Sequence, residues 1–257
     1  MVRAIFLQAI GDYTRFRRLV PWVLLIAFAA FVAFIWALMN KESSASDRYS
    51  AVSYMLVFRI LGLSAALFAT ANVSAEVEQR TIVYLLTRPV PRWLLLVTRY
   101  FAAVTVVAVI SVVAAFAVSL AAYGGHPLGN SLLGKDILAL VLGSFAYSGA
   151  FVLVSVVFPS RAMIISLLYV FGWEWLVPNM PGRMYELSIF SHLQAIAQHP
   201  TQATGSGLLT FLASMTGTNT LPESVSAAVL VLIPVVGVAA AAWWFTHFEF
   251  VPREDAE

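Results

Sequence analysis

Apolar residues in this chain do not alternate with polar ones. They run in unbroken stretches long enough to matter for a bilayer. A helix needs about 20 mostly apolar residues to cross a hydrocarbon core of about 30 Å. Windows of that kind cover Leu19–Met39, Ala51–Val73, Leu94–Tyr123, Ile137–Phe158, Ala162–Val177 and Ser224–Thr246, the third long and the fifth short. Barrel strands would be about 10 residues long and would alternate, so they are not expected. The pattern predicts an all-α integral membrane protein, with six transmembrane helices forming one domain over residues 1–257.

Four segments fall outside these windows. Residues 1–18 place Val2, Ile5, Phe6, Ala9, Ile10, Tyr13 and Phe16 at helical spacing, opposite Arg3, Gln8, Asp12, Arg15, Arg17 and Arg18. A cationic amphipathic helix of this kind lies flat at a membrane interface. Gly11 is a candidate kink, and Pro21 near the first turn of the first span loses little by lacking an N–H. Residues 74–93 form a charged loop between spans two and three. Residues 178–223 form a stretch long enough to need structure of its own. Its apolar run Tyr185–Ala197 predicts one or two short helices packed on the outer mouth. Residues 249–257 form a polar tail.

Composition sharpens the picture by exclusion. The 257 residues are 61% hydrophobic and 11% charged, against about 45–50% and about 25% in soluble domains. A water-soluble globule and a disordered chain are excluded. The absence of cysteine removes thiol chemistry, disulfides and thiolate metal sites. A net charge of only +2 does not call for a nucleic-acid partner. The basic residues instead report topology, because cytoplasmic loops carry an excess of Lys and Arg. With the N-terminus inside, Arg3, Arg15, Arg17, Arg18, Arg80, Arg88, Arg92, Arg99, Arg161 and Arg253 are cytoplasmic, and Lys41, Arg48, Lys135 and Arg183 are outside. Ten against four predicts a multi-pass protein of the cell membrane with both termini cytoplasmic. No small-residue cleavage site follows the first span, which reads as an anchor rather than a removable signal.

Candidate chemistry is sparse. Gly129–Asp136 matches a phosphate-binding loop except at its last position, where Asp136 replaces the hydroxyl that would meet Mg²⁺. No strand precedes it, so the expected role of Asp136 is to start the fourth span, where a carboxylate suits the helix dipole. His192 and His199, seven residues apart, sit too far apart on one helix to share an ion, and His126 and His247 are scattered. No catalytic triad, metal site or cofactor site is expected. Two charges fall inside spans, Arg59 in the second and Glu174 near the end of the fifth. Intramembrane charges are costly and face a partner or a watery cavity. Matching depths make Arg59 and Glu174 a candidate charge pair, with substrate contact and separate snorkelling as the alternatives. Gly62, Ala66 and Thr70, and Ser144 and Ser148, are small residues at four-residue spacing that let helices approach. Trp22, Trp36, Trp173, Trp175, Trp243 and Trp244 lie near span ends as an interfacial belt.

The loop between spans two and three carries the most information. Glu76 and Glu78 suit the first turn of a helix, Val77, Thr81, Tyr84 and Leu85 make one stripe, and Pro89 and Pro91 end it. Arg92 and Trp93 re-enter the interface. The segment reads as a short amphipathic helix held under the membrane, either an interfacial connector or a docking helix. It resembles the cytoplasmic loop of type-2 ABC transporter permeases, E-x-E-x-x-T-x-x-x-L-L-x-x-P-[VI]-x-R. Glu76, Glu78, Thr81, Leu85, Leu86, Pro89, Val90 and Arg92 match in register. Arg80 stands where many members have Gly. The motif covers about 25 residues. The wider architecture is also similar, with an interfacial N-terminal elbow helix, six spans and a long outer segment between spans five and six.

The resemblance implies a permease subunit of an ABC exporter, forming half of a transmembrane pathway. It implies two copies of a separate cytoplasmic ATPase subunit, and a second permease chain, identical or related. Tyr84 and Leu85 would make the apolar contact with the ATPase, with Glu76, Glu78, Arg80 and Arg88 setting electrostatic register. Hydrolysis would belong to the partner, so this chain would not itself be an enzyme. The aliphatic spans point to an amphipathic or lipid-like substrate. A non-transporting scaffold or sensor of the same fold is the alternative. An intramembrane enzyme would need a cluster of His, Asp or Glu in the spans, where, apart from Arg99 near the cytoplasmic end of the third window, only Arg59 and Glu174 are charged.

Overall fold

The computed structural model describes residues 2–39, 44–71, 91–124, 126, 131–179, 184–199 and 221–247. Among them every regular element is helical and none is a strand. Helix α1 covers Val2–Tyr13 and α2 covers Phe16–Met39. Helix α3, Ala45–Val52, passes through a π turn at Ser53–Val57 into α4, Phe58–Thr70. Helix α5 is Arg92–Ala122 and α6 is Leu133–Val157. Helix α7, Ala162–Leu168, continues through a π turn at Tyr169–Trp173 into the short α8, Glu174–Leu176, and a 3-10 turn, Val177–Asn179. After a 3-10 turn at Met184–Leu187 come α9, Ile189–Ala197, and α10, Glu223–His247.

Five of these stretches are long and apolar enough to cross a membrane: Phe16–Met39, Ala45–Thr70, Arg92–Ala122, Leu133–Val157 and Glu223–His247. The short window read at Ala162–Val177 corresponds to the shorter apolar helix Ala162–Leu176. The second span starts at Ala45, six residues before its apolar run, because Ser44 caps it by accepting from the Asp47 N–H. Helix α2 starts at Phe16, so Pro21 sits one turn deeper than the first-turn position expected from sequence. The carbonyl of Arg17, four residues earlier, therefore loses its helical donor. Gly11 does not break α1, which runs on to Tyr13.

Packing arranges the helices around α5 and α6. Helix α6 lies against α4, α5 and α10, while α2 and α1 pack on α5. Rings fix one end of the bundle. Phe68, near the end of α4, meets Tyr13 and Trp22, each with centroids 5.7 Å away. The start of α2, the end of α4 and the start of α5 therefore share this end with α1. Polar residues within the spans mostly satisfy themselves. Ser64, Ser111 and Ser144 donate to the carbonyls of Leu61, Val107 and Leu140 at 2.9, 2.9 and 2.7 Å. Such back-bonding lets a hydroxyl lie in an apolar bundle.

Helices α6 and α10 cross most tightly. A Cβ on Gly149 would lie 2.6 Å from the Cα of Pro234, and one on Gly237 would lie 2.8 Å from the Gly149 carbonyl oxygen. Both obstacles are backbone, which cannot swing aside, so only glycine allows this approach. The small residues read from sequence, Ser144 and Ser148, are buried on the same helix. Gly149→Leu should destabilise the chain by at least ~2 kcal/mol through overpacking. Gly134→Ala, in open space on the same helix, should be neutral or stabilising by up to ~1 kcal/mol. Thermal unfolding in detergent, followed by circular dichroism, checks both.

Candidate functional site

The deepest polar node starts from a problem at α9. This helix begins inside the bundle, with Ile189, Phe190, Leu193, Ile196 and Ala197 buried. Leu193 lies against Gly143, where an added Cβ would sit 3.0 Å from its methyl carbons. The first N–H groups of a helix have no partner within it, and the bundle interior offers no bulk water. Glu174, buried at the start of α8, supplies the acceptor. Its Oε1 accepts the Ile189 N–H at 3.1 Å, and Oε2 accepts the Phe190 N–H at 3.1 Å and the Ser188 hydroxyl at 2.5 Å. Ser188 in turn accepts the Ser191 N–H at 3.2 Å as the N-cap. A carboxylate at a helix N-terminus also gains from the dipole.

Arg59 reaches the same node from α4. Its Nη1 donates to the main-chain carbonyl of Glu174 at 2.8 Å. That carbonyl is free because Pro178, four residues on, has no N–H to give it. The guanidinium carbon lies 4.2 Å from the Phe190 ring centroid and 4.8 Å from that of Trp175, within cation–π range. The structure thus brings Arg59 and Glu174 together, but through the backbone of Glu174. The carboxylate itself is spent on α9.

A second node closes the opposite end of the bundle from Phe68. Asp136, in the first turn of α6, is fully buried. Its Oδ2 accepts the Tyr49 hydroxyl at 2.6 Å and the Ser53 hydroxyl at 2.9 Å. Its Oδ1 lies 2.9 Å from Nε2 of His199. Nearby, Lys135 donates to the Gln198 side chain, which donates to Glu223 at 2.9 Å. His192 faces elsewhere, with Nδ1 3.1 Å from Ser226 Oγ and Nε2 2.9 Å from the Glu186 carbonyl, tying α9 to α10. The two histidines do not meet. Among the described residues no cluster of three or more metal-binding side chains forms.

Of the loop residues singled out from sequence, Glu76, Glu78, Arg80, Thr81, Tyr84, Leu85, Leu86, Arg88 and Pro89 lie outside the described residues. Arg92 is the first residue of α5, following the extended Pro91. Ser188 falls inside the run Tyr185–Ala197 read from sequence, and its role as the N-cap of α9 was not read there. The partners of Asp136 were not legible either, because they come from two segments, one holding Tyr49 and Ser53 and the other His199, each more than 60 residues from it in the chain.

Helical spans, an N-terminal helix packed beside the loop-bearing end, and a helix seated within the bundle before the last span describe a multi-pass membrane component. The family model described as ABC-2 family transporter protein matches residues 6–249. The chain belongs to the ABC-2 transporter family. No curated protein matches it. As an ABC-2 permease it is a multi-pass membrane protein, and the family works in association with an ABC ATPase.

Two substitutions test the nodes. Glu174→Ala leaves two N–H groups and a hydroxyl buried without their acceptor, and should cost ~2–4 kcal/mol. Asp136→Leu leaves the Tyr49 and Ser53 hydroxyls without one and removes the carboxylate beside His199, and should cost ~3 kcal/mol or more. Thermal unfolding of the purified chain measures both, and the exposed Asp12→Ala should stay within ~0.5 kcal/mol of the parent, since its bond to Arg15 is a surface pair.

Proposed function

We propose that this permease forms half of an exporter's transmembrane pathway and that residues 74–93 dock on the ATPase that drives it. The observation that carries the reading is the gathering of cations at the end of the bundle from which that loop departs. Arg17, Arg18, Arg92 and Arg99 fall on helices that start there, and Arg15 and Arg161 on the connections beside them, whereas Arg48 and Lys135 lie at the other end. An excess of arginine marks the cytoplasmic side, so the loop and both termini face the cytoplasm. The helical stretch over 162–179 spans about 27 Å at about 1.5 Å per residue and serves as the fifth of six crossings.

In this scheme the loop helix is a rigid element between two sites. Closure of the ATPases on ATP displaces it, and the displacement passes into α4 and α5, the two helices it joins. Tyr84 and Leu85 make the apolar contact, and Glu76, Glu78, Arg80 and Arg88 set its register. Two ATPase copies and a second permease chain, identical or related, complete the assembly.

Leu85→Asp should abolish copurification of the permease with its ATPase while leaving membrane insertion intact. Pull-down from solubilised membranes, with insertion checked by alkaline extraction, measures both. Retained association would count against docking through this loop.

A further inference from the structure

The Arg59 node contains a cation with no direct salt bridge among the described residues, although the Glu174 carboxylate acts on it through space. Among the described residues no carboxylate pairs with its guanidinium, and the Glu174 carboxylate is consumed by Ser188, Ile189 and Phe190. Only Nη1 makes a hydrogen bond, to a main-chain carbonyl, which leaves the other N–H donors of the fork unspent. The side chain is half-buried rather than sealed. A fixed positive charge at membrane depth is expensive unless an anion joins it. The aromatic faces of Phe190 and Trp175 offset part of that cost and hold the guanidinium in place.

The surroundings define what kind of anion fits. Met55 lies one turn before Arg59 on the same face and is 61% exposed, and Trp175 is 55% exposed. Tyr54, also exposed, packs edge-on against Phe190 with centroids 5.1 Å apart. The unspent donors therefore open onto an apolar and aromatic surface rather than a polar one. A small hydrated anion would lose its water there without replacement. A molecule with an acidic head and an apolar body satisfies both parts at once: the head takes the planar fork and the body covers Met55 and Trp175.

We propose that Arg59, walled by Trp175 and Phe190, binds the acidic headgroup of an amphiphilic molecule. The proposal rests on the permease reading, and names the substrate class as acidic amphiphiles. The π turn just before α4 fits this role. It adds a residue to one helical turn and re-aims the helix, which sets Arg59 towards the 162–179 stretch.

The test uses the full chain purified in zwitterionic detergent, without the ATPase. Native mass spectrometry compares retention of phosphatidylglycerol and phosphatidylcholine at equal concentration, and then adds inorganic phosphate as competitor. Parent protein should retain phosphatidylglycerol at least about fivefold over phosphatidylcholine, and millimolar phosphate should not displace it. Arg59→Gln should abolish the preference and Arg59→Lys should recover part of it. Met55→Glu, at an exposed site, places a carboxylate one turn from the guanidinium and should also abolish the preference without disturbing the fold. Equal retention of both lipids by the parent would overturn the proposal, as would a preference that survives Met55→Glu. Displacement by phosphate would overturn the amphiphile class. Because the assay lacks the ATPase, a negative result leaves the docking test untouched, and loss of docking leaves this binding intact.

Discussion

A helix that starts inside a membrane bundle must find acceptors for its first N–H groups, and the rest of this structure follows from how that is done. Water is absent there, and each unmet donor costs several kcal/mol. Glu174 meets the need for α9 with both carboxylate oxygens. Once α9 is fixed, Leu193 can fill the notch at Gly143 and His192 can reach Ser226 on α10. The carboxylate oxygens are thereby taken by N–H groups and hydroxyls, and the nearby arginine acts on them only through space. That choice leaves Arg59 anchored by a carbonyl and two rings, with charge to spare.

The two ends of the bundle are built differently. At the Asp136 end, hydroxyls, an imidazole and a carboxylate from α3, the π turn, α6 and the residues after α9 converge on one buried acid. Interlocking of this kind holds separate segments in one arrangement, since breaking any member strands the others. At the Phe68 end Tyr13 and Trp22 meet Phe68 through ring contacts. Non-directional contacts tolerate sliding better than directed ones.

Much of this was legible in the sequence for a plain reason. Span length is set by bilayer thickness, so unbroken apolar runs disclosed the helices at Phe16–Met39, Arg92–Ala122, Leu133–Val157 and Glu223–His247 nearly to their ends. The spacing of residues 1–18 likewise disclosed α1. Helix starts set by capping were less visible: Ser44 extends the second span beyond its apolar run, and α2 begins ahead of Pro21. The apolar run after Tyr185 was visible, but its burial among the spans was not, because that depends on a glycine notch at Gly143 on another helix. Arg59 and Glu174 stood out as charges in apolar runs. Their true relation depends on Pro178 freeing a carbonyl and on Ser188 turning the chain, and no periodicity reports either.

The central claim is that Glu174 holds the start of α9 within the bundle. Hydrogen–deuterium exchange over 188–197 in the purified chain tests it most directly. The account predicts slow exchange of the Ile189 and Phe190 amides in the parent. In Glu174→Ala it predicts a local rise of at least about tenfold, corresponding to the ~1.4 kcal/mol that one order of magnitude represents, with α6 and α10 still protected. Fast exchange of those two amides in the parent, or protection unchanged by the substitution, would contradict it.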